Sequence, residues 1–282
     1  MARPDTSIDP RIMDSAREEF LALGFERASL KSICQRAGVT TGALYKRYAG
    51  KEELFRAVVA DTADGHPLFA RNLMIGGCSL ERHAGNVRSG SADYEYQEDA
   101  SSGPACSIQD GLRAEDWDIV TVQQVSHLAG LYETYAPFLG EVLAEVRRLC
   151  PRAKIFFHST WAYEWTSDHP GFANYGCDQE KMADAIAETT ARISAEYDLP
   201  VIPTGLLIRR LRENAAFDIR KGGRSLCRDG FHLSEDYGRY AAGMLWYTVL
   251  TGRLPETAPV LFDGADPALL SLIRETVAGV CE

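Results

Sequence analysis

The spacing of apolar residues changes character once along this 282-residue chain, just after Asp61, and that change limits it to two differently built parts. Before the change, Ile12, Ala16, Phe20 and Leu23 recur at helical spacing on one face, with Arg17, Glu18 and Glu19 away from that stripe. After it, the run Thr62-Ala63-Asp64-Gly65-His66-Pro67 breaks the helical pattern, and short apolar runs then alternate with helical stretches. The expected division lies near residue 65, with one domain over 1–65 and another over 66–282.

The first part reads as four helices. Asp9-Pro10 has an acceptor side chain followed by a proline, the pattern of a helix start, and Gly24 is expected to stop that helix just after Leu23. Ser29 caps a short second helix with Leu30, Ile33, Cys34 and Ala37 inward, and Gly38 supplies the turn that follows. Thr40 caps a third helix running to about Tyr48, with Ala43 and Leu44 assigned to the core. Two short helices joined by a small-residue turn cross steeply, which leaves the second free to enter a DNA major groove.

The string Gly24-Phe25, Ala28-Ser29-Leu30-Lys31-Ser32-Ile33, Ala37-Gly38-Val39-Thr40-Thr41-Gly42-Ala43-Leu44-Tyr45 and Gly50-Lys51-Glu52-Glu53-Leu54 resembles the N-terminal domain of TetR-type bacterial repressors over residues 10–59. The resemblance implies that Thr40, Thr41, Gly42 and Lys46 face DNA bases and that Ser29, Tyr45, Tyr48 and Lys51 reach phosphates. For Tyr48 the alternative is packing on the first helix, and for Lys51 a solvated charge. Such regulators continue into an all-helical, ligand-sensing and dimerising body, and this chain does not follow them there.

Charge agrees with that division of labour. Residues 1–61 hold 10 Lys+Arg and 9 Asp+Glu, which leaves 20 basic and 31 acidic side chains for the remainder. A part with net charge −11 repels a phosphate backbone, so contact with double-stranded DNA is expected from the N-terminus alone.

In the second part, Leu73-Met74-Ile75, Ile119-Val120-Thr121-Val122, Lys154-Ile155-Phe156-Phe157 and Leu199-Pro200-Val201-Ile202 read as successive strands of one buried parallel sheet. Phe138, Val142, Val146 and Leu149 mark one intervening helix; Met182, Ile186, Ile193 and Tyr197 mark another that opens near Asp178. Alternating strand and helix imply an α/β three-layer, flavodoxin-like fold. The segment Ala84 to Cys106, rich in Gly, Ser, Asp and Glu, is expected to be a long surface loop or lid.

Gly76-Gly77-Cys78-Ser79-Leu80-Glu81-Arg82-His83, Gln123-Gln124-Val125-Ser126-His127 and Arg224-Ser225-Leu226-Cys227-Arg228-Asp229-Gly230-Phe231-His232-Leu233-Ser234 resemble an uncharacterised bacterial branch of the SGNH/GDSL hydrolases, over residues 71–252. The resemblance implies a catalytic pair, with His232 as general base and Asp229 orienting it. It also implies an oxyanion hole drawing on the backbone of Gly76 or Gly77 and on the side chains of Gln123 or Gln124, the alternative for both glutamines being polar residues at the core edge. The strand that opens such folds, with its Gly-Asp-Ser or Gly-Asn-Ser nucleophile turn, is missing, and the helical module stands in its place. Ser79 is a weak substitute nucleophile, with a turn or cap role as its alternative.

Seven scattered cysteines without a C-x-x-C pair point to neither a disulfide framework nor a zinc site. His83, His127, His158 and His169 lack metal-ligand spacing, so no metal is expected, and no cofactor either. No apolar run suits a membrane span or a signal peptide, so a cytoplasmic protein without membrane contact is expected. Three readings follow: a DNA-binding TetR-type transcriptional regulator, expected as a homodimer, whose hydrolase-like part lacks a nucleophile; an esterase acting on small or carbohydrate esters through Asp229 and His232; or a chimeric gene product of two truncated halves.

Overall fold

The computed structural model describes residues 8–62, 70–97, 103–255, 262 and 264–282. The chain divides into two compact units, residues 1–69 with 255–267 and residues 70–254 with 268–282. The Thr62 to Pro67 break and the expected boundary near residue 65 fall almost wholly in 63–69, outside the described residues.

The first unit is helical: α1 (Ile8–Arg27), α2 (Leu30–Ala37), α3 (Thr41–Tyr45) and α4 (Lys51–Thr62). Its core gathers Ile12, Ala16, Phe20, Ile33, Cys34, Ala37, Leu44, Leu54 and Val58, with Phe20 and Phe55 meeting edge to face at 5.0 Å. Three expectations are corrected. The first helix passes through Gly24 to Arg27, since an interior glycine costs only about 1 kcal/mol and the Arg27 guanidinium closes the last turn on the Leu23 carbonyl. Leu23 stays 37% exposed although the apolar stripe reaches it. Glu19, expected outside, is buried: its carboxylate accepts the Ser29 N–H and the Ser32 hydroxyl and pairs with Arg36, tying the start of α2 to α1.

The second unit holds two sheets. In the first, β1 (Asn72–Met74), β2 (Tyr94–Gln97) and β3 (Ala105–Cys106) run antiparallel in chain order, with Leu73 opposite Tyr96. In the second, β4 (Ile119–Val122), β5 (Lys154–His158) and β6 (Val201–Ile202) are parallel, with Val122 opposite Phe157 and Phe157 opposite Val201. Helices α5 (Leu80–Ser89) and α6 (Ile108–Arg113) precede β4; α7 (Phe138–Leu149) and α8 (Gln179–Tyr197) connect the parallel strands; α9 (Thr204–Glu213), α10 (Tyr237–Thr251) and α11 (Pro267–Cys281) follow.

Strand alternation makes the layers. Ile155 and Phe157 enter one core with Leu80 and Ala84 of α5, Leu112 of α6, and Leu139, Val142 and Val146 of α7. Phe156 and His158 point to the opposite face, where His158 meets Trp246 of α10 and Thr204 of α9. Helices on both faces of a parallel sheet form the expected α/β three-layer arrangement, and β5, the central strand, is buried from Ile155 to His158.

The expectation of one four-stranded parallel sheet is corrected. The strand at Leu73 pairs antiparallel with β2, and among the described residues neither β1 nor β4 has a strand on its second edge. A short apolar run declares a strand but not its partner; Asn72 and Met74 are exposed about a half-buried Leu73, the pattern of a strand with one face in solvent. The segment expected as a loop over Ala84 to Cys106 instead carries most of α5, then β2 and β3. Ser89, Gly90 and Ser91 stand at the helix end, where Gly90 takes a left-handed conformation and closes α5.

Candidate functional site

In the helical unit, Ser29 caps α2 by accepting the Ser32 N–H, Gly38 turns the chain at φ +65°, and Thr40 caps α3 by accepting the Ala43 N–H at 3.2 Å. Thr40, Thr41, Gly42, Tyr45 and Lys46 are all exposed on or beside α3, with Tyr45 at 56%. Leu44 is fully buried beneath them, whereas Ala43, expected in the core, is half-buried. Tyr48 packs half-buried against the core, and Lys51 donates to the Ala28 carbonyl at 3.3 Å, bracing the entry to α2. The hydroxyls of Ser29 and Thr40 are thus engaged in capping, and the freely presented groups are Thr41, Tyr45 and Lys46.

In the α/β unit the Asp229 and His232 side chains meet. Residues 226–234 fold back on themselves through Ser234 N–H to Leu226 O and Arg228 N–H to His232 O, both at 2.9 Å, which puts Asp229 and His232 at the tip. Gly230 is required there: its φ is +83°, and a Cβ would lie 2.8 Å from the Ser167 Cα. Asp229 Oδ2 accepts from His232 Nδ1 at 2.7 Å, while its Oδ1 accepts the backbone N–H of His232 at 2.7 Å and of Phe231 at 3.2 Å. Partial desolvation pushes the Asp229 carboxyl up, but the bonds from His232 and Phe231 outweigh it and bring it down to about 2. The aspartate therefore holds a proton on Nδ1 and leaves Nε2 as a lone-pair acceptor, exposed and without a partner among the described residues.

Three residues with no sequence signal hold this tip. The Trp161 indole donates to Phe231 O and the Glu164 N–H to Gly230 O, each at 2.7 Å. The Glu164 carboxylate, 3% exposed, accepts the Ser225 hydroxyl at 2.7 Å and the Leu226 N–H at 3.1 Å and pairs with Arg212 at 3.3 Å. Arg212 in turn donates to Ala162 O at 2.7 Å and Cys227 Sγ at 3.2 Å. Each link spans fifteen or more positions, so a local pattern does not announce it.

The expected oxyanion residues separate. Gln124 is buried and fully committed: Oε1 accepts the Leu80 and Val125 N–H groups, each at 2.9 Å, and Nε2 donates to Thr134. It joins the start of α5 to the loop after β4. Gln123, next to it, is exposed, with Oε1 2.6 Å from His158 Nδ1. Gly76 and Gly77 form the turn after β1, Gly77 at φ +63°. Ser79 caps α5 by accepting the Arg82 N–H at 3.3 Å, which gives it the cap role. Beyond the pair, three half-buried rings run in series from the exposed His232: its loop neighbour Phe231 at 4.3 Å, then His169 at 5.0 Å from Phe231 and His127 at 5.4 Å from His169. Burial, aided by the charge of His169, pushes the His127 imidazole down. Among the described residues no group of three or more His, Cys, Asp or Glu side chains is placed to hold a metal, and no helix is long and apolar enough to cross a membrane.

Comparison with known proteins matches two families to the chain, overlapping over residues 49–58. The model of the bacterial regulatory proteins, tetR family, matches residues 12–58, and that of a domain of unknown function, DUF4886, matches residues 49–260. The HTH-type transcriptional regulator SrpR of Pseudomonas putida is 47% identical over 58 residues, 21% of this chain and 26% of that protein. The uncharacterized HTH-type transcriptional regulator TtgW of Pseudomonas putida is 47% identical over 58 residues, 21% of this chain and 42% of the relative. The chain thus spans about a quarter to two fifths of the length of these relatives. The crystal structure of a DUF4886 family protein from Bacteroides uniformis is 30% identical, covering 78% of this chain and 85% of its own, with a TM-score of 0.69. A structure from Slackia heliotrinireducens, described provisionally as an SGNH hydrolase, is 23% identical over 50% of this chain and 70% of its own; its TM-score of 0.39 carries no argument about chemistry.

Proposed function

We propose, from the premise that the chain belongs to the DUF4886 family and carries a TetR-type helix-turn-helix domain at its N-terminus, that it is a DNA-binding transcriptional regulator. The observation that carries this reading is α3, capped at Thr40 and seated on Leu44, which presents Thr41, Gly42, Tyr45 and Lys46 on one exposed surface. An isolated short helix does not hold its shape in water, so the packed core beneath keeps the reading surface ready to bind. Thr41, Gly42 and Lys46 face base edges in this reading, with Tyr45 and Lys51 on the phosphates. A homodimer presents two such helices to two half-sites, and the α/β unit is the ligand-sensing part.

The test is binding of the full chain to duplex DNA selected from a random-sequence pool. Affinity is expected to fall steeply with salt, and Lys46→Ala is expected to weaken binding and reduce the salt slope by about 1 if it meets a phosphate, or to relax sequence preference if it meets a base. Failure to bind any duplex at low salt removes the reading.

A second reading is favoured by the 2.7 Å bond between Asp229 and His232: hydrolysis of small or carbohydrate esters. Here His232 Nε2 withdraws a proton from a hydroxyl or water attacking the ester carbonyl, Asp229 stabilises the imidazolium so formed, Gln123 donates to the developing oxyanion, and the imidazolium returns the proton to the alkoxide that leaves as the acyl C–O bond breaks. Among the described residues no hydroxyl or thiol is bonded to Nε2. Release of p-nitrophenol from p-nitrophenyl acetate by the full chain decides the matter. A rate that disappears in His232→Ala supports hydrolysis; no rate above background, or one that survives the substitution, eliminates it.

A further inference from the structure

His158, at the end of β5, is a buried imidazole bonded at both nitrogens. Nδ1 lies 2.6 Å from Gln123 Oε1 and Nε2 lies 2.9 Å from the Thr204 hydroxyl. The Trp246 ring stands 4.9 Å away, edge to face, and the tilted Trp161 ring 6.5 Å away, so aromatic rings flank the imidazole on the side of α10 and of the loop after β5.

The bonding settles which nitrogen carries the proton. Thr204 is fully buried, and among the described residues its hydroxyl has His158 Nε2 as its sole partner. If Nε2 carried the proton, that hydroxyl would accept it and its own hydrogen would be buried without an acceptor, at a cost of about 1 to 3 kcal/mol. The hydroxyl therefore donates to Nε2, the imidazole proton sits on Nδ1, and Nδ1 donates to Gln123 Oε1. The carboxamide of Gln123 is then oriented, and its Nε2, on an exposed side chain, has no protein partner among the described residues. Gln124, its neighbour, has no such free end.

We propose that His158 and Thr204 are positioning residues that fix Gln123 Nε2 as a donor for an oxygen of a small acyl ligand, a carboxylate or an ester carbonyl, at the C-terminal edge of the parallel sheet. Ligands of open α/β sheets bind at that edge. The donor strength comes from orientation: a carboxamide held by its oxygen does not turn to present that oxygen to the ligand, and so does not repel it. The inference deepens the reading of this edge as an acyl site, in which Gln123 rather than Gln124 supplies the side-chain donor.

The test uses the full chain labelled with nitrogen-15 and sodium butyrate as the probe. The histidine spectrum is expected to show His158 as the neutral Nδ1–H form at pH 7, and the Gln123 side-chain NH2 signals are expected to move on butyrate addition. Thr204→Ser, which keeps the hydroxyl, should preserve both; Thr204→Val should mix the two tautomers and weaken butyrate binding about tenfold, the loss from one misplaced donor. The Nε2–H form in the wild type, or Gln123 signals that ignore butyrate, overturns the proposal. A residue of purely structural role would leave tautomer and butyrate affinity uncoupled between the two variants. Failure here is separable from failure of hydrolysis, which the His232→Ala rate reports, and from failure of DNA binding.

Discussion

Glu164→Ala is expected to lower the unfolding free energy of the α/β unit by about 3 to 5 kcal/mol, the usual loss when one partner of a buried ion pair is removed. The substitution strands the Arg212 guanidinium, 7% exposed, whose Nε has no partner even in the intact structure. It also leaves the Ser225 hydroxyl and the Leu226 N–H without the carboxylate they bond. Because the same loop carries Asp229 and His232, the tip should lose order together with stability. Replacing both partners with apolar residues, Glu164→Leu with Arg212→Met, is expected to cost much less, since no buried charge is then left alone. Urea unfolding followed by tryptophan fluorescence reads the effect cleanly, because all four tryptophans, Trp117, Trp161, Trp165 and Trp246, lie in the α/β unit. A loss below about 1 kcal/mol in Glu164→Ala would show that the pair does not hold the loop.

Acid should destabilise the same unit well above the pH at which its carboxylates protonate. Burial pushes the His158 imidazole down to about 4, against an ordinary value near 6.5 in the unfolded chain. A folded value below the unfolded one means that the unfolded state binds more protons between the two, so stability is full above about pH 6.5 and falls as pH drops toward 4. A tenfold difference in proton affinity between the folded and unfolded chain is worth about 1.4 kcal/mol, so His158 alone accounts for about 3 kcal/mol across that window. His83 acts in the same direction: burial, with the charge of Arg82, pushes it down to about 4, and its Nδ1 is bonded to the Tyr94 hydroxyl at 2.8 Å. Asp229, held down to about 2, contributes in a lower window, below the ordinary carboxylate range. The check is urea unfolding at pH 7 and pH 4.5 for the wild type and His158→Gln. A smaller pH slope in the variant is expected; identical slopes would mean that His158 is protonated in the folded protein.

The helical unit was the more legible half because its determinants are local. Ser29, Gly38 and Thr40 act within three or four residues of where they stand, and each takes its expected cap or turn position. What sequence spacing missed there was Glu19, since a carboxylate becomes a core residue only when Ser29, Ser32 and Arg36 arrive from the next helix. In the α/β unit the Asp229 and His232 spacing was visible because a tight turn brings the two together. Gln123 and Gln124 looked equivalent, and it took the neighbours of each to part them.

The helix-turn-helix, the alternation of strand and helix that makes the α/β unit, and the Asp229 to His232 turn are all written in chain segments a few residues long. Tertiary structure alone decided the rest. It placed the Leu73 strand in an antiparallel sheet, separated the two glutamines, buried Glu164 against Arg212 and closed His158 between Gln123 and Thr204. The physical reason is the same in each case: strand pairing, desolvation and hydrogen-bond satisfaction depend on groups tens of residues away, and a side chain carries no local mark of which distant partner will meet it.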